Sequence, residues 1–432
     1  MNNNPTNKKL LPKLRFPEFE GDGEWEVEIF HKVYNFKSSV PLSRDKLNYD
    51  FGNVKNIHYG DIHTKFSTLF DIVKENVPYI NKDISIKRID KENYCIKGDM
   101  VFADASEDVE DIGKSIEIIN INNEELIAGL HTFLARQIEK KIILGFGGYL
   151  FKSEYIRTQI KRESQGAKVL GISKRRLSNI YLSYPNKPIE QQKIADCLNS
   201  LDETIEAANE KLNLLKEHKK GLLQQLFPAA GEKVPKLRFP EFKNDGDWEV
   251  TTLEEVADYE NGKAHEKEIS TNGEYKVVNS KFISTDGEVV KFTDSVNLLA
   301  KIGDILMVLS DIPNGKAIAK CFYVDIDNTY TVNQRICKIT PSNINNRFLF
   351  YLQNRNPYFL AFDDGVKQTN LRKDTVLSFP FLKPKEPKEQ QKIADCLTLI
   401  DNKIEAQANK IEVLKLHKKG LMQQLFPTLN EE

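Results

Sequence analysis

The stretch Glu190–Pro228, EQQKIADCLNSLDETIEAANEKLNLLKEHKKGLLQQLFP, returns at Glu389–Pro427 as EQQKIADCLTLIDNKIEAQANKIEVLKLHKKGLMQQLFP, 199 positions later. The two align without a gap and about two-thirds of their positions are identical. In the first copy Ile194, Leu198, Leu201, Ile205, Ala208, Leu212, Leu215, Leu222 and Leu226 follow 4-3-4-3 spacing. In the second, Ile393, Leu397, Ile400, Ile404, Ile411, Leu414, Leu421 and Leu425 do the same, with Gln407 and Lys418 in the remaining slots. A narrow apolar stripe at a/d spacing, flanked by charge, predicts a coiled coil. The plainer alternative is two amphipathic helices buried in separate cores. The narrowness of each stripe favours a seam between two helices, and the most economical partner of each helix is the other. Lys219 and Lys418 fall on core-type positions. They serve either to fix register or as frayed ends with their ammonium groups in water. Antiparallel pairing would relate the two halves by a pseudo-twofold axis, which a symmetric pair of repeats favours.

The repeat extends outward. PKLRFPEF at Pro12–Phe19 returns at Pro235–Phe242, an offset of 223, and each copy is followed by Trp-Glu-Val at Trp25–Val27 and Trp248–Val250. These are the only two tryptophans. The offset shrinks by 24 from the front of the repeat to its end, and the sequences between barely match. A duplicated frame implies a geometric or docking duty performed twice, and divergent inserts imply two different recognition tasks.

The fold class this predicts is α+β: two pseudo-twofold-related α/β recognition domains joined by two long helices that form an antiparallel coiled coil. The expected division is 1–188 for an N-terminal conserved segment and first recognition domain, and 189–227 for the first helix. A linker and second recognition domain follow at 228–387, then the second helix and tail at 388–432. In the first insert, Glu92–Ser106, Ser115–Asn120 and His131–Arg136 read as strands and Gly147–Ser164 has helical spacing. The second repeats this order with Ala300–Asp311, Thr329–Ile339 and Asn346–Phe362.

Bulk properties exclude several classes. With 62 Lys and Arg against 63 Asp and Glu, the chain carries no global basic bias toward nucleic acid. The five cysteines form no CxxC pair and suit reduced thiols. No stretch approaches the ~18 apolar residues of a membrane span, and the N-terminal residues lack the apolar run of a signal peptide, so a soluble cytoplasmic protein is expected. No catalytic machinery is legible. There is no Pro-Pro for an amino-methyltransferase signature, and no Pro-Asp to accompany Glu274-Tyr275-Lys276 as a nuclease motif. Asp111–Ser115, DIGKS, ends like a phosphate loop, but Asp108 stands where its first glycine belongs. LGFGG at Leu144–Gly148 lacks a strand–helix fingerprint, and His131 reads as structural. No metal-ligand set is visible.

Basic residues gather late in each insert. Leu150–Tyr181 holds eight Lys or Arg against two Glu, and Arg347–Lys373 holds five against two Asp. Gly166-Ala167-Lys168 matches Gly365-Val366-Lys367 at the 199 offset. Lys161, Arg162, Lys168, Lys174, Arg175, Arg176, Arg347, Lys367, Arg372 and Lys373 are therefore candidate DNA contacts, since basic and polar residues around a glycine can approach a phosphate backbone. The competing reading is a solvated surface.

The opening PKLRFPEF…W, the EQQKIADCL that starts each helix and the HKKGL-QQLFP that closes it resemble the two conserved regions of Type I restriction-modification specificity subunits. GDMVFADASED…DIGKS with AGLHTFLAR, and GISKRRLSNIYLSYP, resemble their target recognition domains; GDILMVLSDIPNGKA keeps only the outline. The resemblance covers nearly the whole chain. It implies a non-catalytic, DNA-binding subunit in which each recognition domain reads one half of a bipartite double-stranded site and the coiled coil sets the spacer. Two modification subunits that methylate adenine dock on the frame, and restriction subunits join them. S-adenosylmethionine, ATP and Mg2+ are expected on those partners and no cofactor on this chain. The rival readings are a two-headed coiled-coil adaptor for proteins and an enzyme with degenerate motifs.

Overall fold

The structure, a computed structural model, describes residues 10–85, 89–166, 168–265, 267–312 and 315–428. The chain forms two compact units. The first runs up to Ala208 and takes in the segment from Lys410 onward; the second is Asn209–Asn409. Each unit therefore owns one insert, the start of one long helix and the end of the other. These helices, Pro188–Leu226 and Pro387–Leu425, have 39 residues each and are about 58 Å long at ~1.5 Å per residue.

The first unit carries a five-stranded sheet in the spatial order Tyr34–Lys37, Thr132–Gln137, Met100–Ala103, Ser115–Asn120, Leu69–Asp71. A four-stranded sheet runs Glu125–Ala128, Val54–Ile57, Tyr79–Ile80, Leu47–Asn48. The second unit repeats the scheme. One sheet is Ala257–Asn261, Ile336–Pro341, Ile305–Val308, Cys321–Tyr323, and the other is Ile269–Ser270, Lys291–Thr293, Tyr275–Val278, Tyr330–Val332. The central strands MVFA and ILMV are buried at every residue, as unbroken apolar runs require. A parallel pair recurs in both units, Glu125–Ala128 with Val54–Ile57 and Tyr330–Val332 with Tyr275–Val278, and the first unit has another, Leu69–Asp71 with Ser115–Asn120. Both inserts are thus α+β with the same outline and different content.

Several segments are more broken than their spacing suggests: Asn346–Phe362 forms helices Asn346–Gln353 and Pro357–Leu360, Glu92–Ser106 holds strands Met100–Ala103 and Ala105–Ser106, and Ala300–Asp311 holds Ile305–Val308 and Ser310–Asp311. Gly147–Ser164 is read as one helical stretch, but the structure has helices Phe146–Leu150 and Glu154–Glu163. Between them Ser153 is extended, and its hydroxyl donates to the Leu150 carbonyl at 2.7 Å. Thr329–Ile339 likewise splits into strands Tyr330–Val332 and Ile336–Pro341, because Arg335 turns the backbone at φ +69°.

The duplicated residues are spent on holding each helix to its insert. Arg15 Nε and Nη2 each donate at 2.8 Å to the two oxygens of Glu190, and Trp25 Nε1 donates to the same carboxylate at 3.3 Å. In the second unit Arg238 grips Glu389 at 2.8 and 2.9 Å, and Trp248 Nε1 donates at 3.3 Å. Both glutamates are 1% exposed, so the paired guanidinium is what makes a buried carboxylate tolerable. The next residue braces the insert: Gln191 Oε1 accepts from Ile143 N and Gln390 Oε1 from Asn345 N, both at 2.9 Å. The opening motif and the helix start are thus two halves of one clamp.

Within each unit the start of one helix packs on the end of the other, so the pair runs antiparallel. Ile194, Ala195 and Leu198 share a core with Leu425 and Phe426; Ile393, Ala394 and Leu397 share one with Leu226. The a/d residues are buried or half-buried, whereas Leu214, Leu399, Val413 and Leu416, off the stripe, are exposed. The two lysines on core-type positions are partnered. Lys219 Nζ meets Asp401 at 2.6 Å and lies 5.5 Å from the centre of the Tyr351 ring, whose hydroxyl donates to the same carboxylate at 2.8 Å. Lys418 pairs with Asp202 and lies over Tyr149, whose hydroxyl donates to Asp202 at 2.9 Å. A charge pair at a seam position rewards one register and orientation over others.

Candidate nucleic-acid interface

The late basic residues are carried by equivalent elements. Leu170–Gly171 pairs antiparallel with Ala105–Ser106, and Thr369–Asn370 with Ser310–Asp311. Each short ladder closes a loop that presents a glycine at positive φ, Gly166 at +129° and Gly365 at +69°. Lys168 and Lys367 are exposed on these loops; Ala167 lies outside the described residues. Asp364 shapes the second loop by accepting from Val366 N and Lys367 N at 2.9 and 3.0 Å. Immediately after each ladder comes a short helix: Lys174–Leu177 carries Lys174, Arg175 and Arg176, and Lys373–Leu377 carries Lys373 with Arg372 at its N-cap.

The ten candidates are not equally available. Arg175, Arg372, Lys373, Lys168 and Lys367 are exposed. Lys174 lies over Phe36 and Phe133, at 5.7 and 5.5 Å from the ring centres. Arg176 donates to the Glu163 carbonyl at 2.9 Å, and Lys161 is held by Glu110 at 2.6 Å. Arg162 is exposed on the same helix as Lys161. Arg347 belongs to another surface: its guanidinium is 4.2 Å from the Tyr323 ring centre, and it lines a cleft with Gln391, Asp395 and Thr398 of the long helix.

Two glycine-rich stretches turn out to be internal. Gly145 N and Gly148 N donate at 2.9 and 2.7 Å to the Glu117 carboxylate, which is 1% exposed. LGFGG therefore cradles the protein's own anion. Burial pushes the Glu117 carboxyl up to about 7, against the pull of those two amides. In DIGKS, Lys114 bonds back to Asp111 at 3.2 Å and donates to the His63 carbonyl at 2.7 Å.

Sequence reasoning missed a second group of polar residues in each unit. In the second, Asn279, Lys281, Lys291, Asn333, Gln334 and Arg335 line a cavity of about 410 Å³ together with Ser280 and Ile269. It has three cations and no carboxylate in its lining, with amides able to meet base edges. In the first unit, Tyr59 stands among imidazoles: its ring centre is 4.8 Å from His58, 6.0 Å from His63 and 5.3 Å from His131. His131, read from sequence as structural, has a side chain 51% exposed. The available signal was the polar triplet Asn333-Gln334-Arg335 inside an otherwise strand-like run. Among the described residues no group of three or more His, Cys, Asp or Glu is placed to hold a metal ion, and no helix is long and apolar enough to cross a membrane.

Comparison with known proteins gives the family. A model described as the Type I restriction modification DNA specificity domain matches twice, at residues 36–217 and 245–416. The MjaVIII Type I restriction enzyme specificity subunit of Methanocaldococcus jannaschii is 29% identical over 295 residues, 64% of this chain and 69% of its own. A putative type I restriction enzyme MjaX specificity subunit of the same organism is 24% identical over 432 residues, 93% of each chain. In fold, the chain is similar to the S subunit of a Type-I restriction-modification system from M. genitalium, with a TM-score of 0.59 at 16% identity over 97% of this chain and all of that one. It is also similar to a chain from a type I R-M system solved for its complex assembly and conformational transition, with a TM-score of 0.53 at 15% identity over 93% and 97%. With two matches that together span most of the sequence, one on each insert and its helix, this chain belongs to the specificity subunits of Type I restriction-modification systems.

Proposed function

We propose that each unit reads one half of a bipartite double-stranded DNA site, and that the paired helices set the number of base pairs between the halves. The observation that carries this is the double clamp. Arg15, Trp25 and Glu190 recur as Arg238, Trp248 and Glu389 with the same bonds, while the inserts they hold share strand order and little sequence. Segments 1–188 and 228–387 are the recognition domains in this reading. The exposed basic residues after each short ladder, Arg175 and the pair Arg372 and Lys373, are phosphate contacts. The repeated frame receives two modification subunits, which use S-adenosylmethionine to methylate adenine. Restriction subunits that need ATP and Mg2+ complete a cytoplasmic assembly, and this chain supplies the address and none of the chemistry. A protein adaptor would place apolar patches where the second unit has a basic, amide-lined cleft.

The test is to lengthen the helices. One heptad inserted after Ala208 and another after Gln407 keeps the a/d seam in phase and adds roughly 10 Å, about three base pairs of B-DNA. Methylation mapping of cells that express the variant with its modification subunits should then show either a spacer longer by about three base pairs or no modification. Both half-site sequences should remain as in the parent wherever methylation persists. Methylation at the original spacing would show that the helices are not the ruler.

A further inference from the structure

We infer that Arg335 and His131 occupy one and the same specificity-determining position, each reading a base of its own unit's half-site. The inference rests on the proposed bipartite reading and assigns residues to it.

Their equivalence is fixed by backbone geometry, since the sequences around them do not align by eye. Arg335 precedes strand Ile336–Pro341, which pairs antiparallel with Ile305–Val308; His131 precedes Thr132–Gln137, which pairs antiparallel with Met100–Ala103. The carbonyl of each accepts from the residue just beyond the partner strand, Leu309 N to Arg335 O at 2.8 Å and Asp104 N to His131 O at 3.0 Å. Two residues earlier, Asn333 N donates to Val278 O at 3.0 Å and Gly129 N to Ile57 O at 2.9 Å. The corner is the same corner.

Both residues sit there at positive φ, +69° for Arg335 and +53° for His131. That conformation disfavours residues with a Cβ; glycine takes it freely, and asparagine, aspartate and histidine are the side chains enriched there, so the backbone cost is greater at Arg335 than at His131. Five of the eight other-than-glycine residues at positive φ in the described chain, Asn122, Asn123, His131, Asp286 and Asn328, follow that habit, and Arg335 does not. At this corner a large side chain with hydrogen-bonding capacity stands in both units, and each keeps polar atoms that no internal bond among the described residues uses, the guanidinium of Arg335 and Nε2 of His131. Arg335 is exposed on the basic cleft, and no described residue pairs with its guanidinium. His131 is half-exposed, with Nδ1 3.1 Å from Asp104 Oδ1. That bond orients the ring and leaves Nε2 for a ligand. A local strain held at the same place twice, with different and available polar groups, is the pattern of a reading position whose content has changed. A guanidinium there suits the O6 and N7 edge of guanine in the major groove. The neighbours differ accordingly: Lys281 and Gln334 flank Arg335, whereas Tyr59 flanks His131.

The test uses the full chain with its modification subunits and the parent methylation motif as reference. Arg335→Gly and Arg335→Asn, and in the other unit His131→Gly and His131→Asn, remove the readers with residues that tolerate the left-handed backbone, so folding is preserved. The expected result is degeneracy at one base position of one half-site, with the other half and the spacer unchanged, and the affected half switching between the Arg335 and His131 variants. Discrimination against the wrong base at that position should fall roughly 10- to 100-fold, as loss of one base contact does. If a variant abolishes methylation, duplex binding by the purified complex decides. Affinity for the cognate duplex falling to that of a duplex altered in one half supports the assignment; an equal fall for every duplex, random sequence included, overturns it in favour of phosphate contact. An unchanged motif in all four variants also overturns it. A parent complex that methylates no bipartite motif would instead sink the functional reading itself.

Discussion

The clamps and the corners of this molecule were duplicated together and have since behaved in opposite ways. At the clamp, Arg15–Glu190–Trp25 and Arg238–Glu389–Trp248 keep the same residues and bond lengths within 0.1 Å. At the corner before the strand that pairs with Met100–Ala103 or Ile305–Val308, the backbone bonds persist while His131 in one unit is replaced by Arg335 in the other. The difference follows from what each side chain must satisfy. A carboxylate buried to 1% exposure needs a specific cation, and replacing either partner strands the other. An exposed corner side chain answers only to what it binds.

The largest expected effect breaks the clamp. Glu190→Ala leaves the partly buried Arg15 guanidinium without its carboxylate and should destabilise the first unit by about 3 kcal/mol. Glu389→Ala should cost the second unit a similar amount. Denaturant unfolding of both variants checks this, and unequal losses would mean that the two clamps are alike in geometry but not in energy.

A second test sharpens the contrast through a group with no twin. Glu117 is buried against Gly145 and Gly148, and its carboxyl is pushed up to about 7. A group whose pKa is raised on folding contributes stability that is fully present below the unfolded value, near 4.5, and is lost as pH rises through about 7. The shift corresponds to about 3 kcal/mol. Unfolding measured from pH 4 to 8 should show this decline in the parent, and the decline should flatten in Glu117→Gln whatever constant cost the amide adds. An identical slope in both proteins would place the titration elsewhere.

The smallest effect concerns charge. Lys174→Ala/Arg175→Ala/Arg176→Ala should flatten the salt dependence of DNA binding less than Arg372→Ala/Lys373→Ala does per residue removed, at about one unit of slope per lost phosphate contact. The reason is occupancy: Lys174 is half-buried over two aromatic rings and Arg176 is bonded to Glu163, whereas Arg372 and Lys373 are both exposed and Lys373 has only the Tyr259 ring, 5.7 Å to its centre, beside it. Equal slopes per residue would show that those internal partners yield to phosphate.

The long helices, their seam and the twofold repetition were legible in sequence because an a/d stripe and a 26-residue identity in 39 positions are local, periodic signals. The bonding of the repeat was not. Nothing in PKLRFPEF announces that its arginine and the tryptophan beyond it converge on a glutamate some 170 residues away. That pairing exists only once the Glu26–Ile29 and Tyr181–Tyr184 strands bring both ends of the insert together. The basic residues of the short helices were found because charge clusters in sequence, and Arg347 was grouped with them for the same reason, although it lines a different cleft. Arg335 was passed over and His131 was read as structural because positive φ leaves no mark when the residue is not glycine. LGFGG, a weak phosphate-loop signal, holds Glu117, a partner no spacing rule reveals.

The claim that one frame carries two independent readers is tested most directly by exchanging an insert. Replacing Gly21–Asn186 with the matching segment of a relative of different specificity, Trp25 kept, leaves Arg15, Trp25 and Glu190 in place and changes the insert the first clamp holds. Methylation mapping of the resulting complex should show one half-site replaced, and the other half and the spacer as in the parent. A change in both half-sites would contradict the account.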